Sequence, residues 1–344
     1  MIPRQQEPLP QTALIAELRA LFAGADRDAW VGRLAPVDCC FEPLLEPEEV
    51  LRQPQVVNRR LLALPVRPRI GGPMKNLPTL SDAILEVSER VALLTFDRDD
   101  VRNALTGTTL VEDIVQTVAW VNASPAISVL ILTGKGAAFS AGGNIKQMQA
   151  REGIFAGSAL TIEENYRRGI QRMTLALAAA EVPLIAAVNG AAVGAGFDLA
   201  CMCDLRLASE SAVCGETFIN LGIIPGDGGA WYLQRLVGYQ RAAELTLTGR
   251  MIKAEEALAL GLFLELCEAE LLLDRARDLA ATIAAKPPQA VRLGKRLLGL
   301  ARDHNLSETL AFSAAFQGML HQSEDHLEAV NAFLEKRPGR FSGR

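Results

Sequence analysis

Apolar and polar positions alternate in short blocks from residue 81 onward, and these blocks predict strands and helices in turn. The segment AILEVSERVALLTF predicts two short strands around a turn at Ser88 and Glu89. TLVEDIVQTVAWVNA has helical apolar spacing, ISVLILTG predicts a buried strand ending at Gly134, and IKQMQA begins another helix. Strand, loop and helix therefore recur without a fixed-period repeat, which predicts an α/β domain.

Two stretches of this domain, 131–146 and 184–200, share one design: an apolar strand, then small residues, then a helix. A helix that begins at small residues exposes unpartnered N–H groups at its positive end, and small side chains let a ligand approach them. We expect the two turns to aim N–H groups at a single oxygen. That arrangement would hold a thioester enolate, because negative charge builds on the carbonyl oxygen as the α-proton leaves.

The chain before residue 81 has a different pattern. Residues 1–64 contain helical pieces and a short apolar run, and the first piece, TALIAELRALFAG, has Gly24 as its stop. Residues 65–80 hold four prolines and two glycines, a composition typical of linkers. The predicted organisation is an appendage over 1–64, a linker over 65–80, a core over 81–285 and a helical C-terminal region over 286–344.

Composition and charge exclude several classes of function. The 344 residues carry a net charge of −5 with acids and bases interspersed, which argues against a nucleic-acid groove or a polybasic membrane patch. No apolar run is long and uncharged enough to span a bilayer. The six cysteines lack Cys-x-x-Cys spacing and are most simply reduced thiols of a cytoplasmic protein.

The histidines restrict the chemistry of the core. All three, His304, His321 and His326, fall in the last 41 residues. This placement argues against a Ser-His-Asp or Cys-His arrangement and against a histidine-ligated metal in the core. Central chemistry is therefore expected to use carboxylates and backbone dipoles, without a metal.

Two segments carry a resemblance to a known family. LTGKGAAFSAGGNIKQM and PLIAAVNGAAVGAGFDLACMCDLRLAS resemble the signature regions of the enoyl-CoA hydratase/isomerase (crotonase) superfamily, as do LGIIPGDGGAWYLQRLVG, AAELTLTGR and AFLEKRPGRF. The similarity runs from about residue 83 to the C-terminus. It implies a spiral of ββα turns and a helical C-terminal region that makes trimers, often stacked as hexamers. It also implies an acyl-CoA substrate, with CoA entering as part of the substrate and no metal or redox cofactor.

The resemblance implies roles for several residues of the two turns. The N–H groups of Gly143 and Ala195 match the two donors to the thioester oxygen. The Arg102–Ala104 loop and the carbonyl region of Ala141 match the contacts to the CoA nucleotide, and Asn144 stands where an Asp is common.

The catalytic acids depart from the family pattern. Asp198 matches the first acid position of the family hydratases, but the second is occupied by Phe218, which cannot move a proton and is expected to line the acyl pocket. Asp227 and Glu216 are the candidates to replace it, and by strand alternation Glu216 would face the same side as Phe218. The structural alternatives are a helix-capping acid for Asp198, a turn residue for Asp227 and a rim ion pair for Glu216.

The preferred function is hydration of a 2-enoyl-CoA, with Asp198, alone or together with Asp227, moving the proton. A double-bond isomerase that uses a single acid is the alternative within the enzyme class, and an acyl-CoA-binding scaffold is the alternative outside it. The segment LFAGADRDAWVGRLAPVDCCFEPLLEPEEVLRQPQVVNRRLL contains an Asp-x-Trp motif and a Pro54-Gln-Val segment. Through it, residues 18–62 resemble the C-terminal tail of family III CoA-transferases. The match carries no activity, because the catalytic aspartate of that family lies far upstream of this tail.

Overall fold

The structure of the protein is a computed structural model that describes residues 76–344, together with Ala16, residues 20–26, Ala29 and Trp30. The chain divides into two units, Met1–Arg67 and Pro68–Arg344. In the first unit, residues 20–22 are helical and the Phe22 and Trp30 rings lie 5.1 Å apart. The predicted stop at Gly24 lies in a turn, and the other predictions for residues 1–75 fall outside the described residues.

A six-stranded sheet forms the centre of the second unit. Its strand order is β1-β2-β3-β5-β7-β10, with β1 antiparallel to β2 and the remaining neighbours parallel. The predicted hairpin is confirmed, since Ser88 pairs with Val91. The strands of both sheets are β1 Ala83–Ser88, β2 Val91–Phe96, β3 Val129–Gly134, β4 Ala138–Ser140, β5 Leu184–Val188, β6 Ala191–Val193, β7 Leu205–Ser209, β8 Val213–Gly215, β9 Ile252–Lys253 and β10 Glu265–Cys267.

A smaller second sheet, in the order β4-β6-β8-β9, carries the short strands. Each of its first three strands directly follows a strand of the large sheet and leads into a helical segment. The chain thus repeats a strand-strand-helix turn, as the family resemblance implies. Because parallel strands begin and end together, these repeats bring the carboxyl ends of β4, β6 and β8 to one edge.

The helices cover both faces of the large sheet. They are α1 Leu110–Asn122, α2 Ile145–Ala150, α3 Ala159–Arg168, α4 Ile170–Ala178, α5 Ala195–Met202, α6 Gly229–Thr248, α7 Ala254–Ala259, α8 Leu272–Ala284, α9 Pro288–Ala301, α10 Leu306–His321 and α11 Glu324–Leu334. Short 3₁₀ segments span Asp99–Val101, Gly153–Phe155 and Thr217–Leu221. The run from α9 to α11 is the helical C-terminal region that the sequence predicts.

Strand β3 shows why its sequence is continuously apolar. Leu130 and Leu132 belong to the large hydrophobic core on one face of the sheet. Val129 and Ile131 belong to a second core on the other face, against the Leu272, Ala276 and Ala280 stripe of α8. A strand buried on both faces has no polar side to alternate with.

Candidate active site

Two turns that contain glycine meet at the edge where the strands of the small sheet end and helices begin. The first turn contains Gly142 and the second contains Gly194. Gly142, in the turn between β4 and α2, has φ +74°. A Cβ built on it would lie 2.5 Å from the Val193 carbonyl oxygen and 2.9 Å from the Ala195 nitrogen. Real Cβ atoms do not come this close to backbone, so only glycine lets the turn approach the start of α5.

The amides of Gly143 and Ala195 have no hydrogen-bond acceptor among the described residues, although the amides around them do. Gly142 N donates to Ser140 Oγ at 3.2 Å, Asn144 N to Thr106 Oγ1 at 2.7 Å, and Gly194 N to the Gly215 oxygen at 2.9 Å. Two donors are therefore left unused at the place where the turns meet. An external oxygen is the group that such donors can bind.

Buried Asn103 ties the predicted CoA-contact loop to these turns. Its side chain accepts from Arg98 N at 2.9 Å and donates to the carbonyls of Lys135 and Ala138 at 3.1 and 2.8 Å. Ala141 N donates to the Arg102 carbonyl at 2.9 Å. The structure thus brings Arg102, Ala104 and Ala141 together, and the Arg102 side chain is exposed.

Asn144 has a structural task of its own. Its Oδ1 accepts from Lys146 N at 3.1 Å and Gln147 N at 3.3 Å and so caps α2. Capping of α2 is a sufficient reason for an Asn at position 144, and no contact with a ligand is needed to explain it. A contact between Asn144 and substrate stays a prediction.

Three carboxyl groups lie buried together beside the turns. Asp198 is in the first turn of α5, Glu216 directly precedes the 3₁₀ segment, and Asp227 is two residues before α6. Their exposed fractions are 0, 0 and 2%. The Asp198 carboxyl group lies within hydrogen-bonding reach of both Glu216 and Asp227. We call Asp198, Glu216 and Asp227 the carboxyl cluster.

The carboxyl cluster contains no hydrogen-bond donor when all three of its carboxyl groups are ionised. None of its six oxygens accepts a hydrogen bond from a described residue, and none forms an ion pair with one. A proton on Asp198 supplies the missing donor. Three unpaired buried charges are very costly, so the cluster must hold protons at neutral pH.

The pKa of each cluster member is raised, and burial is the main cause. The pKa of Asp198 lies well above its ordinary value because of burial, the neighbouring charges of Asp227 and Glu216, and hydrogen bonds that favour its protonated form. Burial raises the pKa of Glu216 from 4.5 to about 7, and the charge of Asp227 adds to this. Burial also raises the pKa of Asp227, while a hydrogen bond from Asp198 opposes the rise.

The reason given for Glu216 from the sequence is wrong. Strand β8 ends at Gly215 and residues 217–221 are 3₁₀, so strand alternation does not relate Glu216 to Phe218. Glu216 is also not a rim ion pair, because it is fully buried. The half-buried Phe218 ring lies by the second turn, with Cζ 3.6 Å from where a Cβ of Gly194 would be.

Helix α4 holds the turn that carries Asp227, and no role for this helix could be predicted from the sequence. Gln171 Nε2 donates to the Gly226 carbonyl at 2.8 Å, and Thr174 Oγ1 donates to the Asp227 carbonyl. A Cβ on Gly229 would lie 2.2 Å from Asp198 Oδ1, so Asp198 packs against the first residue of α6. These contacts join segments distant in sequence, and no local pattern signals them.

The structure adds two observations on other chemistry. No group of three or more His, Cys, Asp or Glu side chains in the described part of the chain has an arrangement that could hold a metal ion. Among the same residues, every helix is too short or too polar to cross a membrane.

We expect the carboxyl cluster to make stability fall with rising pH. Between pH 4.5 and about 7, folded Glu216 retains a proton that the unfolded chain has lost, so the free energy of unfolding decreases across this window. The full effect above the window is about 3 kcal/mol. Glu216→Gln should remove the Glu216 share of this slope, while Asp198 and Asp227 keep theirs, so that stability at pH 4 is unchanged and stability at pH 8 rises by about that amount.

Urea unfolding at several pH values measures this difference. Glu210→Gln, at an exposed position in the turn between β7 and β8, is the control, and its dependence of stability on pH should match that of the wild type. If the free energy of unfolding changes with pH in the same way for Glu216→Gln and the wild type, the pKa of Glu216 is the same in the folded and the unfolded protein.

Comparison with known proteins identifies relatives over most of the second unit. A family model described as enoyl-CoA hydratase/isomerase matches residues 86–344. A crotonyl-CoA hydratase of Syntrophomonas wolfei is 38% identical over 259 residues, covering 75% of this chain and 96% of that protein. A short-chain-enoyl-CoA hydratase of Clostridium acetobutylicum is 36% identical with the same coverage.

Solved structures show the same fold. An enoyl-CoA hydratase from Bacillus anthracis superposes with a TM-score of 0.72 at 32% identity, covering 77% of this chain and all of that one. A putative enoyl-CoA hydratase from Streptomyces coelicolor gives 0.73 at 31% identity, covering 80% of this chain and 99% of the other. The fold class predicted from the sequence is thereby confirmed.

Proposed function

The chain belongs to the enoyl-CoA hydratase/isomerase family, and we propose that it adds water across the double bond of a 2-enoyl-CoA thioester, a step of fatty acid metabolism. One observation carries the proposal: two unused backbone amides lie beside a buried carboxyl cluster that has no cationic partner among the described residues and whose pKa values are raised by burial. Hydration needs these two features together. An oxygen must be stabilised as an anion, and a proton must be delivered nearby.

The two amides account for activation of the substrate. Gly143 N–H and Ala195 N–H would donate to the thioester oxygen, whose negative charge grows as water attacks the β-carbon. Each such donor typically lowers the barrier by about 3 kcal/mol. The donors are backbone groups at a glycine turn and at the start of a helix, so they are in place before substrate arrives.

Asp198 accounts for delivery of the proton. Burial and the neighbouring charges of Asp227 and Glu216 raise the pKa of Asp198 and favour its protonated form, which would give its proton to the α-carbon of the enolate. Asp227 lies in hydrogen-bonding reach of Asp198 and orients that proton. Neither step needs a cofactor beyond the CoA of the substrate.

The remaining predicted site residues fit contacts along the substrate. The loop with Arg102 and Ala104 and the backbone at Ala141 border the first turn and would contact the CoA nucleotide, with Asn144 beside them. The Phe218 ring borders the second turn, where the acyl chain would leave the thioester. Acyl-chain length and branching would be set on this side.

The test is product analysis with crotonyl-CoA and the purified full-length protein. We expect loss of the conjugated-enoyl absorbance and formation of a product heavier by one water, identified by mass spectrometry as 3-hydroxybutyryl-CoA. A shifted alkene from a longer 2-enoyl-CoA, with no water uptake, would instead identify an isomerase. Binding without any turnover would identify a scaffold.

We propose a homotrimer or hexamer for the assembly. Helices α10 and α11 expose large apolar side chains, among them Leu306 at 74%, Phe333 at 83% and Leu334 at 72%. Such a patch on neighbouring helices is typical of a protein interface. Light scattering should give three or six times the 37.0 kDa chain mass, and a monomer would reject this proposal.

A cytoplasmic location and a CoA-transferase-like N-terminal tail are also proposals. The cysteines that the structure describes, Cys201, Cys203, Cys214 and Cys267, are buried and free, which suits a reducing compartment. Cell fractionation tests the location. The resemblance of residues 18–62 falls mostly outside the described residues, and we attach no activity to it.

A further inference from the structure

We propose that Glu216 is a second catalytic carboxyl group of this site, which takes a proton from the attacking water and returns it to Asp198. The inference rests on the proposed hydration and names the group that does the work of the acid absent at Phe218. It starts from the carboxyl cluster, in which Glu216 is fully buried, has no donor and lies in reach of Asp198.

The backbone places Glu216 at the reacting end of the site. Strands β6 and β8 pair in parallel with Val193 opposite Gly215, and Gly194 N donates to the Gly215 oxygen at 2.9 Å. Gly215 is therefore hydrogen-bonded to the turn that carries the Ala195 amide, and Glu216 directly follows Gly215. A carboxyl group here is anchored to the same turn that would hold the thioester oxygen.

Asp227 is anchored differently. Its turn is fastened to α4 by Gln171 and Thr174 and leads into α6, whose first residue packs on Asp198. This attachment places Asp227 where it can orient the Asp198 proton. It does not place Asp227 at the second turn, where the attacking water would bind. The two acids next to Asp198 thus have separate tasks.

The proton path balances over one turnover. Water attacks the β-carbon, its proton passes to the Glu216 carboxylate, and the double-bond electrons move onto the thioester oxygen. Asp198 then protonates the α-carbon as the enolate collapses. The proton on Glu216 crosses the Asp198–Glu216 hydrogen bond, so both groups regain their starting states and the substrate has gained H and OH.

The surroundings of Glu216 favour this exchange. The groups that act on the carboxyl cluster are acids or neutral groups: its own members, Cys201 beside Glu216, and Tyr166 beside Asp227. With no ion pair to a described residue, burial sets the pKa of Glu216 near 7, so both of its forms are populated at neutral pH. Burial and the charges of Asp227 and Glu216 also raise the pKa of Asp198, which favours its protonated form.

The test compares Glu216→Gln, Glu216→Asp and Asp227→Asn with the wild type, measuring kcat for crotonyl-CoA from pH 5.5 to 9. The wild-type kcat should rise through about pH 7 as Glu216 loses its proton. Glu216→Gln should lose about 10²-fold or more in kcat and lose this rise. Glu216→Asp should regain part of the rate and the rise. Asp227→Asn should keep the rise but move it to lower pH, because the charge of Asp227 contributes to the raised pKa of Glu216.

Binding of butyryl-CoA, a saturated analogue that cannot react, is the control for a purely structural role. Its Kd should be the same for Glu216→Gln and the wild type. The inference is overturned if Glu216→Gln hydrates crotonyl-CoA at the wild-type rate with the same pH profile, or if Asp227→Asn alone abolishes the rise. A wild type that forms no hydrated product would instead overturn the proposed function.

Discussion

Replacement of Asp198 by asparagine is expected to lower kcat for enoyl-CoA hydration by about 10³-fold. The amide has nearly the same shape and can donate a hydrogen bond to Glu216 or Asp227, but it cannot give a proton to carbon. Asp198 is fully buried, so no solvent acid can take its place. The measurement is steady-state kinetics with crotonyl-CoA, together with the Kd for butyryl-CoA.

The control for this variant is Asp274→Asn, in the first turn of α8, where the carboxyl side chain is 71% exposed. It should leave kcat and Kd unchanged. We expect Asp198→Asn to bind butyryl-CoA as the wild type does, since the proton is needed for reaction and not for binding. A variant that keeps the wild-type kcat would remove Asp198 from the mechanism.

Strands β1, β2, β3 and β5 and helices α1, α2 and α5 could be predicted from sequence because their apolar pattern is strong. Strand β3 is an uninterrupted apolar run since it is buried on both faces, and α1 has a clear helical stripe. The two turns could also be predicted, because in each a run of small residues separates an apolar strand from the helix that follows. Local pattern and tertiary environment agree at these places.

The carboxyl cluster could be predicted only in part. Asp198 follows a recognisable turn, but nothing local shows that Glu216 is buried, because β8 stops after three residues and the chain continues as 3₁₀. Burial of an acid without a cation contradicts the usual preference for exposure. That contradiction arises from contacts among β8, α5 and the turn before α6, which only the folded chain brings together.

The geometry of the two turns makes Gly142 the most sensitive backbone position. Gly142→Ala is expected to lower kcat/KM by about 10² to 10³-fold, equivalent to loss of one donor to the thioester oxygen. The added Cβ would meet the Val193 carbonyl and the Ala195 nitrogen, which are backbone atoms that cannot rotate away. The turns must separate, and Gly143 N–H and Ala195 N–H would no longer reach the same oxygen.

Gly261→Ala separates this effect from backbone strain. Gly261 has φ +75°, almost the value of Gly142, but a Cβ there would meet nothing within 4 Å. Both variants carry the cost of a left-handed alanine, about 1 kcal/mol, and should be destabilised by at least that amount. Only Gly142→Ala should lose activity in crotonyl-CoA kinetics. If the two variants had equal activities, separating the turns would have left the thioester oxygen as well stabilised as before. The reaction would then not require the two amides to converge on one oxygen.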